Sequence, residues 1–145
     1  MTVFNAIDIS ASSLTAQRLR MDTISSNIAN VETTRNEDGE TYRRKIPVFQ
    51  EKLESQLKNA RSGEGSAGSG SGVIVKTIAE DQSPFRREHR PEHPDADQDG
   101  YVEFPNVSVM NEMVNMIEAS RAYEASIQSI SNFKSMANSA LNIST

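Results

Sequence analysis

Three aspartates alternate with other residues ahead of a glycine, in the segment that contains Asp95, Asp97, Asp99 and Gly100. Alternating carboxylates followed by a glycine form the first half of a calcium-binding loop. The second half departs from that pattern, because the twelfth position holds Asn106 where such a loop needs a bidentate glutamate, and prolines interrupt the entering helix. We therefore interpret these aspartates as an acidic turn that closes a β segment, with divalent-ion binding as the alternative.

Two histidines, His89 and His93, lie four residues apart, which on a helix would place both imidazoles on one face for a metal. Pro91 lies between them and disfavours a continuous helix, so we expect solvated loop histidines. The chain holds no other histidine to act as a general base, and its spacing shows no Ser-His-Asp pattern. We predict that the protein is not an enzyme and needs no cofactor.

The composition argues for a thin core and against nucleic acid as a partner. Only 36% of the 145 residues are hydrophobic and 6% are aromatic, and the net charge of -5 repels phosphate. The short basic groups at 43–45 and 86–87 are interpreted as solvated faces or salt-bridge partners. No apolar run approaches the roughly 20 residues of a membrane span, and the N-terminus lacks the features of a cleavable signal peptide.

Both ends of the chain predict long helices. At the N-terminus, apolar residues recur every seven positions, and no Pro or Gly occurs in residues 1–38 to interrupt them: Ile7, Leu14, Met21 and Ile28. At the C-terminus, Ser108 is a candidate N-cap, and no Gly or Pro follows it. The apolar stripe after Ser108 has three- and four-residue steps and includes Val109, Met113, Met116, Tyr123, Ile127 and Ile130.

These helices are rich in residues that form helices poorly. Ser, Thr and Asn supply 13 of the first 34 residues and 15 of residues 106–145. Their side chains compete for backbone hydrogen bonds, so packing must supply stability that helix propensity does not. We expect the helices to be marginal alone and to pair in a coiled-coil-like unit, with the C-terminal stripe packed on the seven-residue repeat. We expect them to become ordered only when other subunits cover their remaining faces.

The centre of the chain predicts a small β element rich in loops. We expect a turn at Asp38-Gly39, an extended piece at 46–49, a short helix over 51–61 and a strand over 73–78. Residues 62–72 hold five of the seven glycines and predict a flexible loop. The expected fold is therefore mainly α, with 1–34 and 106–145 as a paired helical domain around a 35–105 insertion.

Two segments resemble a known family. Residues 14–30, which close on Asn27-Ile28-Ala29-Asn30, resemble the N-terminal motif of bacterial flagellar rod and hook proteins. Residues 100–125, which begin Gly100-Tyr101-Val102, resemble the C-terminal motif of the same family. The short length and the Asp-Gly-Tyr-Val-x-x-Pro-Asn-Val run are most similar to its proximal-rod members, whereas residues 35–94 add little to the resemblance.

The resemblance implies a structural subunit that is exported unfolded or partly folded by the flagellar type III apparatus and is then added to the rod that crosses the periplasm. Implied partners are other rod proteins and the ring and adaptor at the rod base, with no membrane insertion. Torque would pass through helix contacts, and the expected interface residues are Ile7, Leu14, Met21, Ile28, Asn30, Val109, Met113, Met116, Arg121, Tyr123, Ile127 and Ile130. A pair between Arg121 and Glu124, three residues apart, would set the register between subunits.

Two alternatives stay open at this point. One is another axial subunit of the distal-rod or hook type, for which a larger central region would be expected. The other is a small calcium-responsive binding module that uses Asp95, Asp97 and Asp99.

Overall fold

The computed structural model of the chain describes residues 3–36, 39–52 and 72–143. The long helix α1 spans Val3–Ala29 and the long helix α2 spans Val109–Ile143. Four strands lie between them in sequence: β1 (Lys45–Glu51), β2 (Val73–Glu80), β3 (Arg86–His89) and β4 (Tyr101–Phe104). The prediction of a mainly α fold with two long terminal helices and a small β element is confirmed.

The two helices pack antiparallel to each other. Ser13 Oγ lies 3.1 Å from Ser126 Oγ near one end of the pair, and Asn27 Nδ2 lies 3.0 Å from Glu112 Oε2 at the other end. Ala16 and Ala119 are both buried. Small side chains at the contact allow the two backbones to approach closely, so the pair is stabilised by close packing as well as by apolar area.

The seven-residue repeat does not mark the centre of the buried face of α1. Ile7, Leu14, Met21 and Ile28 are half-buried, whereas the buried residues of α1, over the part from residue 5 onward whose side chains are described, are Ala16, Thr23, Ile24 and Asn27. The reason is that α1 contacts α2 on one side and the β1–β2 sheet on another. Its buried arc is therefore shared between two neighbours.

On α2, the prediction that Val109, Met113 and Ile127 pack against α1 is wrong, because all three are exposed. The buried face of α2 includes Ala119. Successive residues are rotated by about 100° about the helix axis, so Val109, Met113 and Ile127 lie about 80° or more around the helix from Ala119. By contrast, three other residues of the predicted stripe are half-buried, namely Met116, Tyr123 and Ile130.

The β residues form two separate two-stranded antiparallel sheets. In the first, β1 pairs with β2, and the register shifts at a bulge between Val48 and Phe49. In the second, β3 pairs with β4, and Val102 and Phe104 of β4 are buried. The extended piece predicted at 46–49 and the strand predicted at 73–78 are confirmed. Each observed strand is longer than the predicted range, since β1 spans Lys45–Glu51 and β2 spans Val73–Glu80.

Several predictions fall wholly or mostly on residues outside the described ranges. They are the helix over 51–61, of which only the first two residues are described, the loop over 62–72 up to its last glycine, and Asp38 of the turn. Gly39 itself has a φ of 81° and donates its N–H to the Asn36 carbonyl at 2.9 Å, as a turn requires. Among the described residues, no helix combines the length and the apolarity needed to span a bilayer.

Ala119 tests the close approach of the two helices, because its side chain is 0% exposed. We expect Ala119→Leu to lower the free energy of unfolding of the isolated chain by about 1–3 kcal/mol through overpacking, measured by urea unfolding. The matched control is Ala125→Leu, which adds the same atoms at an exposed position of α2. Equal effects of the two substitutions would contradict the close helix contact.

Candidate functional site

A buried carboxylate lies where α2 begins. The side chain of Glu112 is 1% exposed, and both of its oxygens have partners. Oε1 accepts bonds from Arg44 Nη2 at 2.7 Å and Nε at 2.9 Å, and Oε2 accepts one from Asn27 Nδ2 at 3.0 Å. A buried charge persists only when it is paired and hydrogen-bonded, so Glu112 requires both neighbours in place.

Asn27 connects α1 to the first strand. Its Nδ2 donates to the Lys45 carbonyl at 2.9 Å, and its Oδ1 accepts from the Lys45 N–H at 2.9 Å. The same Oδ1 accepts from the Tyr42 hydroxyl at 2.9 Å. The amide thus makes two bonds with one residue of β1, as a neighbouring strand would, and fixes where β1 meets the helix.

Asn106 makes similar backbone contacts on the other side of Arg44. Its Oδ1 accepts from the Arg44 N–H at 2.9 Å, and its Nδ2 donates to the carbonyls of Asp81 and Ser83 at 3.0 and 3.3 Å. The carboxylate of Asp81 lies 3.4 Å from Arg44 Nη1. Arg44 therefore bridges two carboxylates, one after β2 and one in α2.

Hydrogen bonds from the hydroxyl and the backbone N–H of Ser83 lower the pKa of Asp81, and Arg44 adds to the effect. A carboxyl whose pKa is lower in the folded state contributes stability that is fully present above its unfolded pKa, about 3.9. That contribution is lost as the pH falls through the lowered folded pKa, so the Asp81 contacts weaken only in acid.

We refer to these six residues as the polar cluster: Asn27, Tyr42, Arg44, Asp81, Asn106 and Glu112. Together they join α1, the segment before β1, the end of β2 and the start of α2. The donors and acceptors described above are directed at one another, which makes the cluster a structural junction.

From the sequence, Asn27 and Asn106 were noted only as members of sequence motifs, and the cluster was not predicted. The available signal was an asparagine inside a long helix, where its amide is unfavourable unless it bonds outside the helix.

The three aspartates lie in the connection between β3 and β4, as the acidic-turn interpretation predicts. Asp97 Oδ1 accepts the N–H groups of Tyr101 at 2.8 Å and Asp99 at 3.0 Å, and Oδ2 lies 3.0 Å from Arg87 Nη2. The bond from the Tyr101 N–H is the main cause of the lowered pKa of Asp97. These carboxylate oxygens hold the turn and its strand together.

Asp95 accepts a bond from Thr34 Oγ1 at 2.8 Å and lies 3.7 Å from Arg35 Nη1. It therefore ties the turn to the segment that follows α1. Within the described residues, no three His, Cys, Asp or Glu side chains are grouped so that they could hold a metal ion. Oxygens of Asp95 and Asp97 are already bonded to protein groups, which disfavours the calcium-module alternative.

The two histidines lie on different elements. His89 is the last residue of β3, so the prediction that it lies in a loop is wrong. Its ring packs edge-on against the Tyr101 ring, with the two ring centres 5.1 Å apart. It is a strand residue because the β3–β4 pairing extends as far as His89 and Tyr101. His93 lies in the turn region, where its Nδ1 accepts the Asp95 N–H at 3.2 Å.

Three residues of the two basic groups are ion-pair partners, which is one of the two roles that the sequence indicated. Arg44 belongs to the polar cluster, Arg86 pairs with Glu88 at 3.1 Å, and Arg87 pairs with Asp97. Arg43 places its guanidinium 4.2 Å from the centre of the Phe85 ring.

The exposed face of α2 begins with four apolar side chains at helical spacing. Met110 is 73% exposed, Met113 54%, Val114 51% and Ile117 53%; we refer to these four as the α2 stripe. At about 100° per residue they centre on the side of α2 opposite Ala119. Exposed apolar side chains grouped in this way indicate a contact surface.

The other predicted interface residues have varied environments. Arg121 and Glu124 are exposed and continue the face of the α2 stripe, and no ion pair joins them among the described side chains. Asn30 instead closes α1, because its Nδ2 donates to the Ser26 carbonyl at 2.8 Å and its Oδ1 accepts from Thr33 Oγ1 at 3.2 Å.

Removal of the Glu112 carboxylate tests the polar cluster. We expect Glu112→Ala to lower the free energy of unfolding by about 3 kcal/mol, because Arg44 and Asn27 lose their partner. The control is Glu118→Ala, which removes a 61% exposed carboxylate 3.5 Å from Arg20 and should cost less than about 1 kcal/mol. Urea unfolding measures both, and a Glu112→Ala loss no larger than the control would show that the cluster is dispensable.

Comparisons with known proteins match both ends of the chain to one family. Residues 7–35 match the family described as Flagella basal body rod protein, and residues 98–143 match Flagellar basal body rod FlgEFG protein C-terminal. The first match contains Asn27 and the second contains Asn106 and Glu112, so three members of the polar cluster lie in the matched segments.

Relatives extend the similarity to the centre. The chain is 45% identical to the flagellar basal-body rod protein FlgC of Bacillus subtilis, over 99% of each protein. It is 45% identical to FlgC of Borreliella burgdorferi, over 99% of this chain and 98% of the relative, and 40% identical to FlgC of Escherichia coli O6:H1, over 94% and 93%. The chain therefore belongs to the family of flagellar basal-body rod proteins, as an FlgC-like structural subunit of the proximal rod.

Proposed function

We propose that this subunit enters the rod with its helix pair and β insertion already joined, and that the α2 stripe is its main contact with neighbouring rod subunits. The observation that carries the proposal is the division of α2 into two faces. One face holds the buried Glu112 and Ala119, and the opposite face presents Met110 and its three apolar neighbours to solvent. The outward face is free to bind a second helix without disturbing the first.

The stripe is suited to a helix partner by spacing and by energy. Positions i, i+3, i+4 and i+7 form the contact row of a helix that packs on another helix. Full burial of a side chain of this size is worth about 1.5–3 kcal/mol, and those of the stripe are already partly covered, so each would add about 1 kcal/mol. Four such side chains would contribute about 4 kcal/mol from this subunit's side of the contact, and the apolar side chains of the partner would have to add to it to offset the cost of association.

Torque transmission needs subunits that do not shear internally. In this chain the polar cluster ties α1 and α2 to the insertion by bonds of 2.7–3.0 Å around Glu112 and Asn27. We propose that 1–34 with 106–145 form the helical unit that faces the rod neighbours, and that the 35–105 insertion is held to it by the cluster. A load on the insertion then reaches both helices.

Family membership supports a proposal for the wider setting. We propose that the partners are other rod proteins and the ring and adaptor at the rod base, that the type III apparatus exports the chain without a cleaved signal, and that the rod lies across the periplasm. Arg121, Glu124 and Ile127 would contact neighbours next to the stripe, and Ile7, Leu14 and Ile28 would do so from α1, whereas Met21 faces Ser120 within the helix pair. The role is mechanical rather than catalytic, because the cluster directs its polar groups at one another.

The stripe can be tested by replacing its two branched residues. We expect Val114→Gln with Ile117→Gln to preserve the fold, since both side chains are exposed and Gln is a good helix former, but to reduce incorporation into the rod at least about tenfold. The measurement is the amount of subunit in basal bodies isolated from cells that make only the variant.

The matched control is Ser131→Gln with Ser135→Gln, which places the same side chains farther along the exposed face of α2. Circular dichroism of both purified variants checks folding. Normal incorporation of the folded Val114→Gln, Ile117→Gln variant would show that the α2 stripe is not the contact surface.

A further inference from the structure

Methionine is the only sulfur-containing residue type in this chain, which has six methionines and no cysteine. Two of those methionines are sheltered within the fold. Met21 is half-buried and its sulfur accepts a bond from Ser120 Oγ at 3.6 Å across the helix pair, and Met116 is half-buried on α2. Met110, Met113 and Met136 are exposed, so a dissolved oxidant has access to these three residues.

Two of the exposed methionines lie on the surface proposed above as the contact with neighbouring subunits. Met110 and Met113 are three residues apart and make up half of the α2 stripe, beside Val114 and Ile117. Met136 lies on the same helix but outside the stripe. A change in polarity at Met110 and Met113 would therefore alter the apolar contact row itself, whereas the same change at Met136 would not.

We propose that Met110 and Met113 are an oxidation-sensitive site that decides whether the free subunit is competent to join the rod. The oxidant class is a peroxide. A sulfur lone pair attacks one peroxide oxygen, an S–O bond forms as the O–O bond breaks, and the sulfoxide and water are the products when the peroxide is hydrogen peroxide. Each thioether loses two electrons and the peroxide gains them.

The consequence for assembly follows from the character of the sulfoxide. It is polar and chiral, and it accepts hydrogen bonds that a packed helix contact does not supply, so burial of the stripe becomes unfavourable. A subunit already in place would have its stripe covered and its sulfurs shielded. The vulnerable species is therefore the subunit that has not yet been incorporated.

This inference rests on the proposed role of the α2 stripe, and its first test does not depend on that role. The purified full chain is treated with hydrogen peroxide, and the oxidation of each methionine is followed by mass spectrometry of its peptides. We expect Met110 and Met113 to oxidise about tenfold faster than Met21 and Met116, as their exposure dictates. Equal rates for the four sulfurs would overturn the proposal.

The second test uses glutamine as a stable polar substitute for the sulfoxide. Met110→Gln with Met113→Gln should lower incorporation into isolated basal bodies at least about tenfold, whereas Met110→Leu with Met113→Leu should keep it, because leucine restores the apolar surface. Met136→Gln is the matched control and should incorporate normally. Circular dichroism confirms that each variant is folded before incorporation is compared.

The outcomes separate the two proposals. If Met110→Gln with Met113→Gln incorporates normally while Val114→Gln with Ile117→Gln does not, the oxidation proposal fails and the stripe stands as the contact surface. If both double variants incorporate normally, the stripe itself is not the contact surface and both proposals fail. A loss with Met136→Gln as large as that with Met110→Gln and Met113→Gln would also overturn the special role of these two methionines.

Discussion

The structure depends on the burial of one charge. The carboxylate of Glu112 is almost completely removed from water at the start of α2, and such a group is costly unless charge and hydrogen bonds surround it. Arg44 supplies the charge and Asn27 supplies a donor on the other oxygen. Because Arg44 precedes β1 and Asn27 lies in α1, satisfying Glu112 brings three distant parts of the chain to one point.

That requirement also fixes what remains on the surface. With Glu112 and Ala119 turned inward, the helical period places Met110, Val114 and Ile117 on the outside. Small residues such as Ala16 and Ala119 let the helices approach closely, so the pair needs few large apolar side chains inside. The larger ones near the start of α2 are left for contacts with other subunits, which suits a subunit that functions only in an assembly.

Much of the fold could be predicted from the sequence, because the decisive signals are local. The long stretches without Gly or Pro predicted both helices, and the candidate N-cap Ser108 predicted that α2 begins at Val109, as it does. The high proportion of β-branched residues over 73–78 predicted β2. The buried face of α1 could not be read from the seven-residue spacing, since α1 also packs on a sheet that the helical period does not encode. On α2, Met113 was assigned to the wrong face because large apolar residues lie on the exposed side, whereas the buried side holds Glu112 and Ala119.

The polar cluster could not be predicted from the sequence for a different reason. Its bonds join residues that are 85 positions apart for Asn27 and Glu112 and 68 for Arg44 and Glu112, and no spacing rule links such positions. The composition pointed instead to helices that become ordered only on assembly, because Ser, Thr and Asn are weak helix formers. The structure gives several of those residues partners outside their own helix, and Asn27 is the clearest case.

Hydrogen exchange on a confirmed monomer tests most directly whether the polar cluster orders the isolated subunit before it meets its neighbours. We expect backbone amides near Asn27, near Lys45 and near Glu112 to be protected and to open with one common free energy, as parts of a single cooperative unit. Rapid exchange at 20–27 and 112–120 in the monomer, with protection only after rod partners are added, would contradict it. In that case assembly, and not the buried carboxylate, would order the helices.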